Sequence, residues 1–197
     1  MITIYQLKPK FQNLLRPLVH TLYQRGITAN QVTLFACLGS ILTAGIIAIS
    51  LPNLTILCLM PIWLFVRMAL NAIDGMLARE HQQASKLGAY LNELCDVISD
   101  TALMLVLLPI AGINSIAVFS VIFLALLSEY AGVMAPLVGE KRRYDGPMGK
   151  SDRAFVLGAL CVALALNIIS MTFLNGILWA MVALLMFTIY QRIKRAL

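Results

Sequence analysis

Long apolar stretches alternate with short polar segments along almost the whole chain. Six stretches have the length of membrane-crossing helices, at residues 32–51, 54–77, 88–111, 114–138, 153–170 and 172–191. A helix needs about 20 residues to cross the hydrocarbon core of a bilayer. The pattern therefore predicts an all-α, polytopic membrane protein with six transmembrane helices.

A different pattern precedes the first stretch. Within KFQNLLRPLVHTLYQR, residues 10–25, apolar side chains recur with helical spacing and basic side chains take the other side. This predicts, within residues 1–30, an amphipathic helix that lies in the membrane interface against anionic lipid. The alternative is that it packs on the ends of other helices. Residues 1–197 contain no repeat or low-complexity segment, so we predict a single domain with residues 31–197 as its six-helix bundle.

The composition agrees with a membrane protein. Hydrophobic residues make up 60% of the chain and charged residues 12%, whereas soluble proteins are about 25% charged. The four cysteines show no CxxC spacing and resemble small apolar residues in their setting. The net charge of +6 does not indicate nucleic-acid binding, because its distribution follows membrane topology.

Basic residues mark one side of the predicted bundle. The links LPN, AGINS and NIISMT carry no charge, while the opposite ends of the spans carry lysines and arginines. The positive-inside rule makes the charged side cytoplasmic. With an even number of spans, both termini are predicted to be cytoplasmic, in a protein of the cytoplasmic (inner) membrane.

Five of the nine carboxylates lie within residues 71–100, NAIDGMLAREHQQASKLGAYLNELCDVISD. Asn71 and Asp74 are spaced i, i+3, and Asn92, Asp96 and Asp100 are spaced i, i+4, i+8, so each set forms a stripe on one helix face. The short link makes the two helices antiparallel neighbours whose stripes can face each other. Such oxygen ligands suit a hard cation such as Mg²⁺. The alternative, polar groups that only join two helices, is less favoured because intramembrane acids are costly and usually functional.

Two further charges fall inside predicted spans and require partners. Arg67 shares a helix face with Asn71 and Asp74, and Glu129 lies in the fourth span. Glu129 and Asp100 are the candidate partners of Arg67.

The acidic stretch resembles the signature of the CDP-alcohol phosphotransferase (CDP-alcohol phosphatidyltransferase) family, D-x2-D-G-x2-A-R-x8-G-x3-D-x3-D. All spacings agree, and six of the eight fixed positions match, with Asn71 and Asn92 in place of the first and third aspartates. Upstream, TANQVT resembles the family's T-P-N-x-[LI]-T, with Ala29 in place of proline. The six spans and the N-terminal helix also resemble the family.

The resemblance implies an enzyme that transfers a phosphatidyl or similar group from a CDP-linked lipid to an alcohol and releases CMP. CDP-diacylglycerol is the expected donor, one or two Mg²⁺ or Mn²⁺ ions are the expected cofactor, and the active site is expected to face the cytoplasm. Asp96 would be both a metal ligand and the general base. The other metal-ligand candidates are Asn71, Asp74 and Asn92, with Asp100 in addition. The candidates for binding the donor nucleotide and its phosphates are Asn30, Thr33, Gly75, Ala78, Arg79 and Gly88.

Basic residues are concentrated in GEKRRYDGPMGKSDR, residues 139–153. Lys150 and Arg153 resemble the family's basic segment that binds the acceptor, and Arg142 and Arg143 are further candidates. Guanidinium and ammonium groups suit a phosphate, which favours a phosphorylated acceptor such as glycerol 3-phosphate or inositol phosphate. The alternative is an ordinary basic cytoplasmic loop. The resemblance also implies a homodimer.

The two asparagines are the main departure from the family. An amide oxygen can ligate a divalent ion but brings no charge, so metal affinity is expected to be lower, and either one or two ions would fit the pattern. Two other functions stay open. One is a non-catalytic relative that binds a CDP-lipid or a lipid head group, and the other is a transporter that uses the intramembrane acids.

Overall fold

The computed structural model describes residues 4–197, with side chains from residue 11 onward. All regular secondary structure in that part of the chain is helical, as predicted. The α-helices are α1 Ile4–Gln24, α2 Ala29–Ser50, α3 Leu59–Glu80, α4 Lys86–Leu105, α5 Ser115–Met134, α6 Lys150–Ala165 and α7 Met171–Lys194. Two 3-10 helices, Leu54–Cys58 and Ala135–Val138, precede α3 and follow α5. The first three residues of the predicted N-terminal segment lie outside the described residues.

Within residues 4–197, four helical segments are long and apolar enough to cross a membrane. They are Ala29–Ser50, Leu54–Glu80, Ser115–Val138 and Met171–Lys194. Large apolar side chains on these segments face outward: Phe35, Phe123 and Phe173 are 62%, 61% and 65% exposed. Such a surface suits lipid and would be unfavourable in water. The prediction of a helical membrane protein is confirmed to this extent.

The helices at the third and fifth predicted spans, α4 and α6, are too short or too charged to qualify as membrane-crossing helices in the same way. Every 18-residue stretch of α4 includes Glu93, Asp96 and Asp100, and α6 has only 16 residues. The prediction of six spans is therefore not confirmed, and the described part of the chain supports four.

Both of these helices end earlier than the apolar pattern predicts. After α4, Pro109 lacks a backbone N–H and disfavours helical geometry at the residue before it. The chain makes tighter turns there, with the Leu107 and Leu108 N–H groups donating to the carbonyls three residues earlier. After α6, Asn167 is left-handed with φ 53°, and the Ile168 N–H donates to the Ala163 carbonyl at 3.0 Å. This is a Schellman termination, which the apolar pattern does not reveal.

The chain divides into two compact units. One comprises the described chain as far as Leu42 together with Trp63–Ser99. The other comprises Thr43–Ile62 and Asp100–Leu197. The single domain expected from the sequence stays a prediction.

In the first unit, α1 packs on α2 and α3. The buried apolar core consists of Val19, Ala29, Val32, Ile73, Met76 and Leu77. Val19 carries α1 into this core, whereas Leu14 and Leu18 on α1 are 76% and 47% exposed. One side of the amphipathic helix therefore packs on other helices. Contact of the exposed leucines with lipid stays a prediction.

The helices α2 and α3 come close together at Gly39. A Cβ atom added to Gly39 would lie 2.2 Å from Cη2 of Trp63. The indole is fixed by a hydrogen bond from its Nε1 to the Ser40 hydroxyl, at 2.9 Å. The close approach of the ring leaves no room for a side chain at residue 39.

The second unit is built on α5 and α7, which pack along each other. Buried apolar side chains on the two helices include Ala117, Val118, Val121, Leu174, Leu178 and Leu185. At one end Asn175 accepts from the Asn114 N–H at 2.8 Å and donates to the Gly112 carbonyl at 2.9 Å. The 3-10 helix Leu54–Cys58 packs against α6.

The contact at Gly39 gives a stability prediction. Gly39→Ala should lower the free energy of unfolding by about 1–3 kcal/mol, because the methyl group overpacks against the indole ring. Gly45→Ala, on the same helix with nothing within 4 Å of its added Cβ, is the matched control and should change stability by less than about 1 kcal/mol. Thermal unfolding in detergent measures both. Equal melting temperatures for the two variants would contradict the packing described here.

Candidate functional site

The TANQVT segment forms the start of α2 through a capping box. The Gln31 N–H donates to the Thr28 hydroxyl at 3.3 Å, and the Thr28 N–H donates to the Gln31 side chain at 2.9 Å. These reciprocal bonds satisfy two of the donors that a helix start leaves without partners. They fix the first turns of α2, and with them Asn30 and Thr33.

A hydrogen bond joins this segment to the acidic stretch. The Thr33 hydroxyl donates to Oδ2 of Asp74 at 2.8 Å, and both residues are buried. A carboxylate in an apolar setting needs such donors, because leaving it without them costs several kcal/mol. The bond therefore connects two motifs that lie 41 residues apart in the sequence.

The predicted donor-binding glycines are places of close approach. A Cβ added to Gly75 would lie 3.1 Å from Nη2 of Arg79, whose guanidinium folds back over the helix. One added to Gly88 would lie 2.7 Å from Oδ1 of Asn30, so that the start of α4 passes directly beside α2. In the same region Gln83, between α3 and α4, accepts from the Ala29 N–H at 2.7 Å. A neighbouring helix therefore approaches closely at Gly88, and the role of Gly88 in donor binding stays a prediction.

Arg67 is the ion partner of Asp96. Its Nη2 lies 3.2 Å from the Asp96 carbonyl and 3.3 Å from Oδ1, and the Arg67 side chain is only 4% exposed. Because Arg67, Asn71 and Asp74 share one face of α3, this pair turns the Asp96 side of α4 toward the polar stripe of α3. The sequence had suggested Glu129 and Asp100 as partners and had not named Asp96.

The donor set in this unit is made of hard oxygen atoms. It consists of the carboxylates of Asp74 and Asp96 and the amides of Asn71 and Asn92, a ligand type that Mg²⁺ and Mn²⁺ accept. Among the described residues, no three His, Cys, Asp or Glu side chains group together as a metal site. Two divalent ions would bring four positive charges against two carboxylates, one of them already paired with Arg67. By charge, Asp74 and Asp96 alone would compensate one divalent ion better than two, and the number of ions stays a prediction.

In the second unit, Glu129 is the centre of an arginine cluster. Its carboxylate lies 3.1 Å from Arg153, 3.3 Å from Arg142 and 3.5 Å from Arg192. Arg153 also donates to Asp100 at 3.1 Å, and its side chain is 6% exposed. Two of the predicted acceptor-binding residues, Arg142 and Arg153, are thus also partners of the partly buried Glu129. The roles of Asp100 as a metal ligand and of these arginines in binding stay predictions.

The basic loop before α6 is pinned on α5 and α7. The Arg143 N–H donates to the Gly132 carbonyl at 3.1 Å, and the Met148 N–H donates to the Thr188 hydroxyl at 3.0 Å. Asp145 accepts from Arg195 and pairs with Arg143. Burial alone would raise the pKa of Asp145, but the hydrogen bond from Arg195 and the charges of both arginines lower it below the ordinary value. Lys150 begins α6, whose start is capped by Asp152.

The roles of Thr28 and Arg192 were not predicted from the sequence. The T-x-x-Q spacing of a capping box is readable in the sequence and would have identified Thr28. Arg192 is 2% exposed and donates to the Ser128 and Asp145 carbonyls. Nothing in its local pattern distinguishes it from an ordinary basic residue at a helix end, so its burial could be seen only in the fold.

Comparison with known proteins agrees with the resemblance. The CDP-alcohol phosphatidyltransferase family matches residues 26–190. The chain is 44% identical over 197 residues to the inner membrane protein YnbA of Escherichia coli, covering all of this chain and 97% of that protein. It is 27% identical over 144 residues to archaetidylinositol phosphate synthase of Aeropyrum pernix, covering 68% of this chain and 72% of that enzyme.

Solved structures show the same fold. Two crystal structures of Mycobacterium tuberculosis phosphatidylinositol phosphate synthase (PgsA1) superpose with TM-scores of 0.73 and 0.75, at 20% and 22% identity. They cover 91% of this chain and 92% and 87% of those chains. The first holds CDP-DAG and the second holds manganese and citrate. From the matched residues and the shared motifs, the chain belongs to the CDP-alcohol phosphatidyltransferase family.

Proposed function

We propose that this protein is an active enzyme that transfers a phosphatidyl or related group from CDP-diacylglycerol to a phosphorylated alcohol and releases CMP. The observation that carries the proposal is the hydrogen bond from Thr33 to Asp74. It joins the two segments that resemble the family's motifs and buries one of the two remaining motif carboxylates. A hydrogen bond that only holds two helices together could lie anywhere along them and would not need to connect the two motifs.

The proposed roles follow the chemistry of each group. Asp96 takes the proton from the acceptor hydroxyl, whose oxygen forms a bond to the donor phosphorus nearer the lipid while the bond to CMP breaks. Arg79 contacts the donor phosphates, and Asn30 and Thr33 hold the cytidine. A bound Mg²⁺ or Mn²⁺ would neutralise charge on the donor phosphates. Asn71, Asp74, Asn92 and Asp96 would hold it.

The nature of donor and acceptor is supported by the relatives. The CDP-DAG bound to M. tuberculosis PgsA1 supports a CDP-linked lipid as donor. That enzyme and the A. pernix protein are by name synthases of inositol phosphate lipids, which supports a phosphorylated acceptor alcohol. A phosphorylated acceptor also fits the cations at Lys150 and Arg153. A homodimer stays part of the proposal.

A second candidate is a non-catalytic relative that binds a CDP-lipid or a lipid head group. Two observations favour it: Asn71 and Asn92 replace aspartates of the signature, and Arg67 already pairs with Asp96. Release of CMP distinguishes the two functions.

The first test measures CMP release from CDP-diacylglycerol by the purified protein in lipid, with Mg²⁺ or Mn²⁺ and a panel of alcohols. We expect turnover with a phosphorylated alcohol. Asp96→Asn should lower it at least about 100-fold, because the general base is lost. Glu80→Gln makes the same carboxylate-to-amide change at an exposed residue that pairs with Arg16, and should leave turnover near the wild-type rate. Absence of CMP release with every alcohol would favour the non-catalytic relative.

The second test concerns the acceptor. Lys150→Ala should raise the acceptor KM about tenfold or more and leave donor binding unchanged, because a charge-assisted bond to the acceptor phosphate is lost. Lys141→Ala, an exposed lysine of the same loop, is the matched control. Arg153 is less suitable, because its removal would also take an ion partner from the partly buried Asp100 and Glu129. Loss of CDP-lipid affinity with an unchanged acceptor KM would contradict the assignment of Lys150.

The third test concerns topology. We propose that α4 and α6 also cross the membrane, which gives six spans, both termini in the cytoplasm and an active site that faces it. The distribution of basic residues supports this, and local thinning of the bilayer can accommodate a short span such as α6. The name of the E. coli relative supports the inner membrane.

In intact cells, a membrane-impermeant thiol reagent should label Ile168→Cys and not Lys141→Cys, since the first lies on the proposed outer side. After lysis both should react. Residue 168 is 72% exposed and residue 141 is exposed, and the parent chain gives the background from native cysteines. Labelling of residue 141 in intact cells would overturn the topology.

A further inference from the structure

Arg67 is an unusual group for the interior of an apolar helix. It lies in the middle of α3 between Val66 and Met68, and its residue is 3% exposed. A charge in such a position is costly unless it is paired, and it usually marks function. Its observed partner is Asp96, the carboxylate proposed as metal ligand and general base.

The charged groups at the signature of this chain differ from those of the family's signature. Where the family's signature has four carboxylates, this chain has two, Asp74 and Asp96, and it adds one guanidinium on the same helix face as Asn71 and Asp74. The formal charge of these groups is therefore one negative unit. The two asparagines lack negative charge that ions would neutralise, and Arg67 supplies positive charge at Asp96, a candidate metal ligand.

We propose that Arg67 is a positioning residue that takes the place of one divalent ion at Asp96, so that this site binds at most one Mg²⁺ or Mn²⁺. The inference rests on the proposed function for the identity of the metal-ligating residues. Two contacts support it: Nη2 of Arg67 meets both the Asp96 carboxylate and the Asp96 carbonyl. The arginine therefore fixes the side chain and the backbone of the residue together, as a bound cation would.

This role and that of a purely structural ion pair predict opposite changes in metal affinity when Arg67 is neutralised. An arginine that only joins α3 and α4 contributes stability, and its loss should weaken metal binding or leave it unchanged. An arginine that replaces an ion repels other cations and competes for a carboxylate oxygen. Its neutralisation should therefore make a divalent ion bind more tightly.

The experiment measures Mn²⁺ binding alone, by calorimetry and by electron paramagnetic resonance of free Mn²⁺, on the full-length protein in detergent. The wild type should bind at most one ion per chain. Arg67→Gln should bind the first ion at least about tenfold more tightly. Arg67→Lys, which keeps the charge, should behave as the wild type. Arg16→Gln, which removes an exposed arginine that pairs with Glu80, should also leave Mn²⁺ binding unchanged.

A second set of variants tests stoichiometry and does not depend on the single substitution. Asn71→Asp with Asn92→Asp should bind one ion more tightly than the wild type, because two carboxylates are added, but still only one. Adding Arg67→Gln to these two substitutions should raise the number of bound Mn²⁺ ions to two per chain. If Arg67→Gln does not fold, the variant with Asn71→Asp and Asn92→Asp is a sufficient test. Binding of two ions by this variant, which retains Arg67, would overturn the proposal. Unchanged Mn²⁺ affinity in a folded Arg67→Gln protein would overturn it as well.

CMP release, measured on the same preparations, separates this inference from the proposed function. Tighter Mn²⁺ binding in Arg67→Gln without CMP release by the wild type would support the role of Arg67 and reject the transferase. CMP release by a wild type that binds two ions would keep the transferase and reject the role of Arg67.

Discussion

Charged side chains inside apolar helices need partners from within the protein, because hydrocarbon offers none. Three buried or partly buried acids of the described residues each have a partner from a different segment. Asp74 takes the Thr33 hydroxyl, Asp96 takes Arg67, and Glu129 takes three arginines. These bonds fix which faces of the helices meet. An apolar helix face can pack at many rotations of the helix about its axis, whereas a carboxylate reaches its partner at only a few of them. The geometry of the candidate site follows from them.

The same constraint explains why the site can differ from its family in charge and still keep its architecture. Loss of two carboxylates at residues 71 and 92 would leave a doubly charged ion poorly compensated. A guanidinium on the same helix face restores a balance close to neutrality with a group that cannot dissociate. An arginine keeps its charge at any relevant pH, and its fork of donors can contact a side chain and a carbonyl together. In the proposed arrangement, a covalently attached guanidinium takes the place of one bound cation.

The second unit uses arginine for a different purpose. Glu129 has two oxygen atoms and three arginine partners, so the cluster carries an excess of positive charge that Asp100 reduces through Arg153. The backbone of the basic loop is held on α5 and α7 by bonds that involve Gly132 and Thr188. Lys150 therefore begins α6 from a loop of fixed position. Such preorganisation lowers the entropic cost of binding an anion, which is consistent with an acceptor that carries a phosphate.

The sequence by itself determined the fold class, the helix of the N-terminal segment and the family. Helical periodicity and the length of apolar stretches are local properties, and they were sufficient for α2, α3, α5 and α7. The signature spacing located Asp74 and Asp96 without the structure. Local patterns were less reliable where backbone geometry ends a helix: the left-handed Asn167 shortened α6, and turns before Pro109 shortened α4.

Only the tertiary structure decided which charges pair. The sequence offered Glu129 and Asp100 to Arg67 and did not name Asp96, which lies 3.3 Å from it and one turn away from Asp100 on α4. A shift of one helical turn changes the partner while leaving the hydrophobic pattern the same, so periodicity cannot distinguish between them. The burial of Arg192 and the meeting of Thr33 with Asp74 depend equally on how helices distant in sequence pack. The physical reason is that apolar packing tolerates many registers, whereas a buried ion pair forms only where two particular atoms come within about 3–4 Å.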